Sequence, residues 1–113
     1  MKPDDLIRLH HIADALETAI SFTEGKTRTN LDTDNMLTFA LVHAIQIAGE
    51  AAARIDVDVR DVYPQIPWAL IIGMRNRLVH AYFDINHDIL WETATEAAPA
   101  LLWQVQTLLK DLS

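Results

Sequence analysis

Apolar residues recur along this chain at steps of three and four, and each such run predicts a helix. Leu6, Leu9, Ala13, Leu16 and Ile20 line one face of a first helix, which Asp4 or Asp5 can start just after Pro3. Gly25 is a stop signal, and "KTRTNLDTD" beyond it reads as a polar loop. Asp32, Thr33 or Asp34 can cap a second helix, "NMLTFALVHAIQIAGEAAARI". That segment is apolar nearly all round, which predicts a place deep in the bundle. Its polar residues His43, Gln46 and Glu50 share a face. In "DVDVRDVYPQIP", Pro64 and Pro67 end one element and open another. The third helix starts near Pro67, carries "WALIIGMRNRLVH" and gives out near "YFDIN", where Asp84 or Asn86 can cap the next. A fourth helix runs from near Asp88 to Leu109, with Pro99 as the site of a kink. No segment alternates as a strand does. The pattern predicts an all-α fold, a four- to five-helix up-and-down bundle, with residues 1–113 as a single domain.

Composition sharpens this picture. Half of the 113 residues are hydrophobic, more than a small domain can hide, so part of that surface is expected to close a homodimer interface. The absence of cysteine excludes disulfides and thiolate metal sites. No apolar run approaches the roughly 20 residues needed to cross a bilayer, and "MKPDDLIRLHH" is too polar for a signal peptide. The expectation is a soluble cytoplasmic protein with no membrane partner. A net charge of −7 and a pI near 5.0 exclude a general nucleic-acid coat. They leave room for a local anion site.

The stretch "MRNRLVHAYFD" offers that site. Charged groups seldom follow an apolar run such as "IPWALIIG" without a partner or a task. The Arg75 fork can hold a phosphate through two parallel hydrogen bonds, and it keeps its charge at any working pH. His80 can give or take a proton near neutrality. Together they make a minimal metal-free phosphodiester-cleaving pair, with Asn76 adding a hydrogen bond and no cofactor required. On one regular helix, however, positions five apart diverge by about 140°. Either the helix unwinds before His80, or two chains meet about a two-fold axis and share the groups. The plain structural alternative is that arginine and histidine simply suit the last turn of a helix. Glu50 also has two readings, a salt bridge to Arg54 four residues on, or a carboxylate that faces the bundle and orients Arg75 or Arg77. His43 reads as a hydrogen-bonded core histidine, and His10, His11 and His87 as surface residues. No Glu-x-x-His pair supports a di-iron site, and no glycine-rich phosphate loop is present. Trp68, Trp91 and Trp103 read as packing residues of the core or an interface.

At these residues the chain resembles the HepT-like branch of the HEPN superfamily. "RNRLVHAY" fits that family's Arg-x4-His-x-Tyr motif at Arg75, His80 and Tyr82, and "IQIAGEAA", "PQIPWALIIGMRNRLVHAYFDIN" and a long final helix extend the likeness. The resemblance implies a homodimer with the motif at a cleft between subunits. It also implies a metal-independent endoribonuclease, the toxin of a toxin–antitoxin pair. The partner it implies is a minimal nucleotidyltransferase antitoxin that adenylylates the motif tyrosine, here Tyr82. Glu50 matches the glutamate of "GEAA". On this reading Arg75 and His80 are catalytic, Asn76 and Glu50 support them, and unpaired RNA is the substrate. The contrasting reading is a non-catalytic helical module that docks a nucleotidyltransferase.

Overall fold

The computed structural model describes residues 1–81 and 84–112. The fold is all-α. Its helices are α1 (Pro3–Thr23), α2 (Asn30–Thr33), α3 (Asn35–Ala53), α4 (Val57–Val62), α5 (Trp68–Leu78), α6 (His87–Glu92) and α7 (Ala98–Leu112). A π-helical turn, Thr93–Ala97, joins the last two into one long rod. The four expected helices are α1, α3, α5 and this rod, and α2 and α4 are short turns in segments expected to be loops. Thr38 explains the first of these, because its buried hydroxyl donates to the Leu31 carbonyl at 3.0 Å and holds α2 against α3.

α1 packs between α3 and α7, and α3 between α1 and α5. Leu9, Ile12 and Leu16 of α1, Leu41 and Ile45 of α3, Ile71 and Leu78 of α5, Leu90 of α6 and Val105 of α7 are all fully buried. Each such side chain stabilises the fold by about 1.5–3 kcal/mol. At α3 and α6 the capping residues are those the sequence offers, whereas α1 begins at Pro3 with Lys2, not Asp4 or Asp5, at its N-cap. Asp34 accepts from Leu37 N at 3.0 Å to start α3, and Asn86 accepts from Ile89 N at 3.0 Å to start α6. α1 ends at Thr23, two residues before Gly25, whose φ of 71° turns the chain away. Asp5 is buried rather than a mere helix starter. Its carboxylate accepts from Lys2 N at 3.3 Å and from Asp56 N at 3.1 Å, so the first residues of α1 and α4 are pinned together.

Three sequence expectations need correction. First, α3 is not buried all round. Met36, Phe39, His43 and Ile47 form an exposed stripe along it, so His43 is a surface residue and not part of the core. Second, α3 is long and apolar enough, by length and composition, to cross a membrane, although half of that stretch is buried. Packing against α1 and α5 accounts for its apolar character. Of the tryptophans, Trp68 is buried with its indole N–H shared between the Arg60 and Tyr63 carbonyls at 3.1 and 3.0 Å, and Trp103 is exposed. Third, the chain contains strand. Val79–Ala81 (β1) pairs antiparallel with Asp84–Ile85 (β2), Val79 opposite Ile85 and Ala81 opposite Asp84, with an irregularity between. β-Branched Val79 and Ile85 suit such a ribbon.

The π turn lies just upstream of Pro99. Proline offers no N–H to the Thr95 carbonyl, and its ring crowds that carbonyl. The Ala98 N–H reaches back five residues to Thr93 O, so the irregularity takes the form of a wide turn. Sequence reading also missed a polar clamp at the other end of the rod. Arg28 holds both Asp32 oxygens at 2.7 and 2.8 Å and Asp88 at 2.6 Å, while His87 Nδ1 meets Asp32 at 2.8 Å. His87 and then Arg28 hold the Asp32 carboxyl below the usual carboxylate range. The clamp fastens α2 to the first turn of α6.

Candidate active site

The sequence pairs a helix-borne arginine with a histidine five residues on. Between the two, the helix ends. α5 stops at Leu78, and Val79–Ala81 is extended. His80 therefore sits on β1, exposed, with its neighbour Val79 packed against the core. Successive side chains on a strand take opposite faces, so burying Val79 turns His80 outward. The Val79 N–H bonds the Arg75 carbonyl, closing the last turn of α5 directly beneath the arginine.

Arg75 is exposed in that last turn, with its guanidinium 3.4 Å from Asn76 Oδ1. Both residues line an open groove of about 420 Å³ between α5 and α3. Ile72 forms its wall from α5, and Gln46, Gly49 and Glu50 face it from α3. Glu50 does not pair with Arg54. Its Oε1 accepts from Gln46 Nε2 at 3.0 Å, one turn back along α3. The groove thus combines a permanent cation, a carboxylate and two side-chain amides. Arg77 parts from Arg75 and lines a separate groove with Glu92 and Glu96. Of the five candidates, Arg75, Asn76 and Glu50 come together here. His80 stands on the ribbon beyond the helix end, and Tyr82 lies outside the described residues. Among the described residues, no group of three or more potential ligands is placed to hold a metal ion.

Gly49 is the site residue that sequence reading passed over. A Cβ built there would stand 3.0 Å from the Ile71 carbonyl oxygen and 3.2 Å from that of Ile72. Those are backbone atoms of α5, which cannot swing aside as a side chain can. The missing side chain lets α5 lie close on α3, and that approach sets Arg75 opposite Glu50. A glycine inside a helix costs about 0.5–1 kcal/mol relative to alanine, and its presence in the middle of so apolar a helix was the available clue.

Comparison with known proteins follows the same residues. The family described as ribonuclease HepT-like matches residues 12–108. A Thermococcus cleftensis protein named "Probable ribonuclease HepT" is 35% identical over 102 residues, covering 90% of this chain and 93% of that one. "Putative RNase TTE0752" of Caldanaerobacter subterraneus subsp. tengcongensis is 35% identical over 102 residues, 90% of this chain and 91% of its own. "Putative RNase MJ1216" of Methanocaldococcus jannaschii is 30% identical over 104 residues, 92% and 86% of the two chains. No solved structure matches at comparable stringency.

The helix contact yields a paired prediction. Gly49→Ala should lower the stability by about 1–3 kcal/mol through overpacking. Gly73, in α5, has nothing within 4 Å of its would-be Cβ, so Gly73→Ala should raise it by about 0.5–1 kcal/mol. Urea denaturation of the two variants checks both signs, and a stabilised Gly49→Ala would show that α5 has room to move.

Proposed function

Because the chain belongs to the ribonuclease HepT-like family, we propose that it is a metal-independent endoribonuclease, the toxin of a prokaryotic toxin–antitoxin pair that acts on unpaired RNA in the cytoplasm. The observation that carries this reading is the end of α5 between Arg75 and His80. With the helix ended at Leu78, the two groups are not held to the angle that a continuous helix would impose. Arg75 binds a non-bridging phosphate oxygen and stabilises charge as phosphorus becomes five-coordinate. His80 takes the proton from the ribose 2′-hydroxyl or returns one to the leaving 5′-oxygen, and the symmetry-related copy in a homodimer supplies the other half. The bond from the 2′-oxygen to phosphorus forms as the bond to the 5′-oxygen breaks, leaving a 2′,3′-cyclic phosphate. Asn76 and Glu50 support Arg75 from the groove wall.

Cleavage of single-stranded RNA should persist in EDTA and leave cyclic phosphate ends. Arg75→Ala and His80→Ala should each reduce the rate at least a hundredfold, whereas His87→Ala, in the polar clamp, should retain it. A His80→Ala variant as fast as the parent would sink the mechanism. A parent chain that binds a nucleotidyltransferase but cuts no RNA would favour a docking module instead.

The exposed apolar stripe supports the homodimer. Met36 is 84% and Phe39 50% exposed on α3. The stripe continues through Ile47 towards Glu50, at the edge of the groove that holds Arg75. A second copy seated on it would place both motifs along one cleft. Light scattering at micromolar concentration should give a dimer for the parent and a monomer for Phe39→Glu. A monomeric parent would contradict this assembly.

Tyr82 is the proposed control point. A phenol is a suitable nucleophile for nucleotidyl transfer once a partner's metal site activates it. Adenylylation by a nucleotidyltransferase antitoxin would add a phosphate that Arg75 can bind in place of RNA. Mass spectrometry of the protein produced with such a partner should find one adenylyl group on the peptide containing Tyr82 and none in Tyr82→Phe. An unmodified peptide from a fully inhibited pair would mean that capture alone silences the toxin.

A further inference from the structure

A second pocket adjoins the candidate site on the other side of Glu50. It has a volume of about 280 Å³ and lies between the first half of α1 and the second half of α3. Arg8 and His11 line it from α1, and Ile47, Glu50 and Arg54 from α3, with Asp4 at its rim. Glu50 also lines the Arg75 groove, so the two are neighbours along α3.

The arginines here behave unlike the one in the clamp. Arg8 has Asp4 four residues before it, and Arg54 has Glu50 four residues before it. Acid before base at that spacing is the favourable arrangement for a helical ion pair. Neither pair closes. Glu50 gives its hydrogen bond to Gln46, and neither guanidinium has an ion-pair or hydrogen-bond partner among the described residues. Arg28 shows the contrast, because it pairs with Asp32 and Asp88. Two uncommitted arginines thus face one pocket beside a third cation, Arg75, with Asp4 and Glu50 on the same lining balancing the pair in formal charge while leaving their donors open. Forked guanidinium groups with open donors fit phosphate oxygens.

We propose that Arg8 and Arg54, with His11, form a second phosphate subsite that holds the RNA strand one or more nucleotides away from the phosphate cut at Arg75. The subsite rests on the ribonuclease reading above and adds a substrate contact to it. It binds and does not react. A strand lying from this pocket across Glu50 to Arg75 would follow the α3 ridge, as single strands follow charged grooves elsewhere.

The probe is a fluorescein-labelled 2′-O-methyl RNA, which lacks the attacking hydroxyl and so reports binding alone. Arg8→Gln combined with Arg54→Gln should weaken binding about tenfold and lower the slope of log affinity against log salt by about 0.7 for each phosphate lost. On cleavable RNA the double variant should raise KM with kcat unchanged, because only uniform binding has been removed. Replacing both by lysine should restore much of the affinity, and Lys26→Gln, on the exposed loop after α1, should change nothing. A double glutamine variant with the parent's affinity and salt slope would overturn the subsite while leaving the ribonuclease intact. So would a fall in kcat at unchanged KM. A parent that neither binds nor cuts RNA would overturn the function itself, and with it the subsite.

Discussion

The backbone of α5 rests on α3 at a residue whose side chain is a single hydrogen atom. Gly49 meets the carbonyl oxygens of Ile71 and Ile72 at distances that a methyl group could hold only by pushing α5 outward. Much of the site follows from that contact. It sets the depth at which α5 lies, and so the groove that Arg75 and Asn76 share with Glu50. It also places the end of α5 where Val79 can reach the core and where a change from helix to strand turns His80 to solvent. Packed interiors transmit such displacements because they have little slack.

The helices were legible because their apolar residues recur at the helical period and their ends carry recognisable caps. Asp34, Asn86 and the turn at Gly25 act as their chemistry suggests. The ribbon at the motif was not legible. Two and three residues are too few to show alternation, and Leu78 continues the helical period into Val79 without a break. The exposed stripe on α3 escaped for a different reason. Periodicity marks which residues are apolar, but not whether a neighbour in the same chain covers them. Met36 and Phe39 read like core residues because, in sequence, a core face and an uncovered face look alike. At the site, Arg75, Asn76 and Glu50 were found from residue type and resemblance. Gly49, which brings them together, depends on a contact between segments more than twenty residues apart that no local pattern encodes.

Charge in this molecule falls into two kinds. One kind is committed to structure. Arg28, Asp32, His87 and Asp88 close on one another at the head of the long rod, and buried Asp5 accepts the backbone N–H groups of Lys2 and Asp56. The other kind stays open along the α3 ridge, where favourable helical pairs fail to form and guanidinium groups face grooves. Total charge averages over both kinds. An acidic chain can still present open guanidinium donors at particular places, even with Asp4 and Glu50 beside them.

The rod has a consequence for how the molecule comes into being. α1, which emerges during synthesis well before α7, is covered on one side by α7, through Leu101, Val105 and Leu108. Until those residues are available, Leu9, Ile12 and Leu16 of α1 have only part of their final surroundings. Contacts so distant in sequence form late, because the closure entropy of the intervening chain must be met first. A nascent chain that already carries Arg75 and His80 therefore still lacks one wall of its core. The bundle matures only when α7 arrives, so the motif is translated before the scaffold that steadies it is complete.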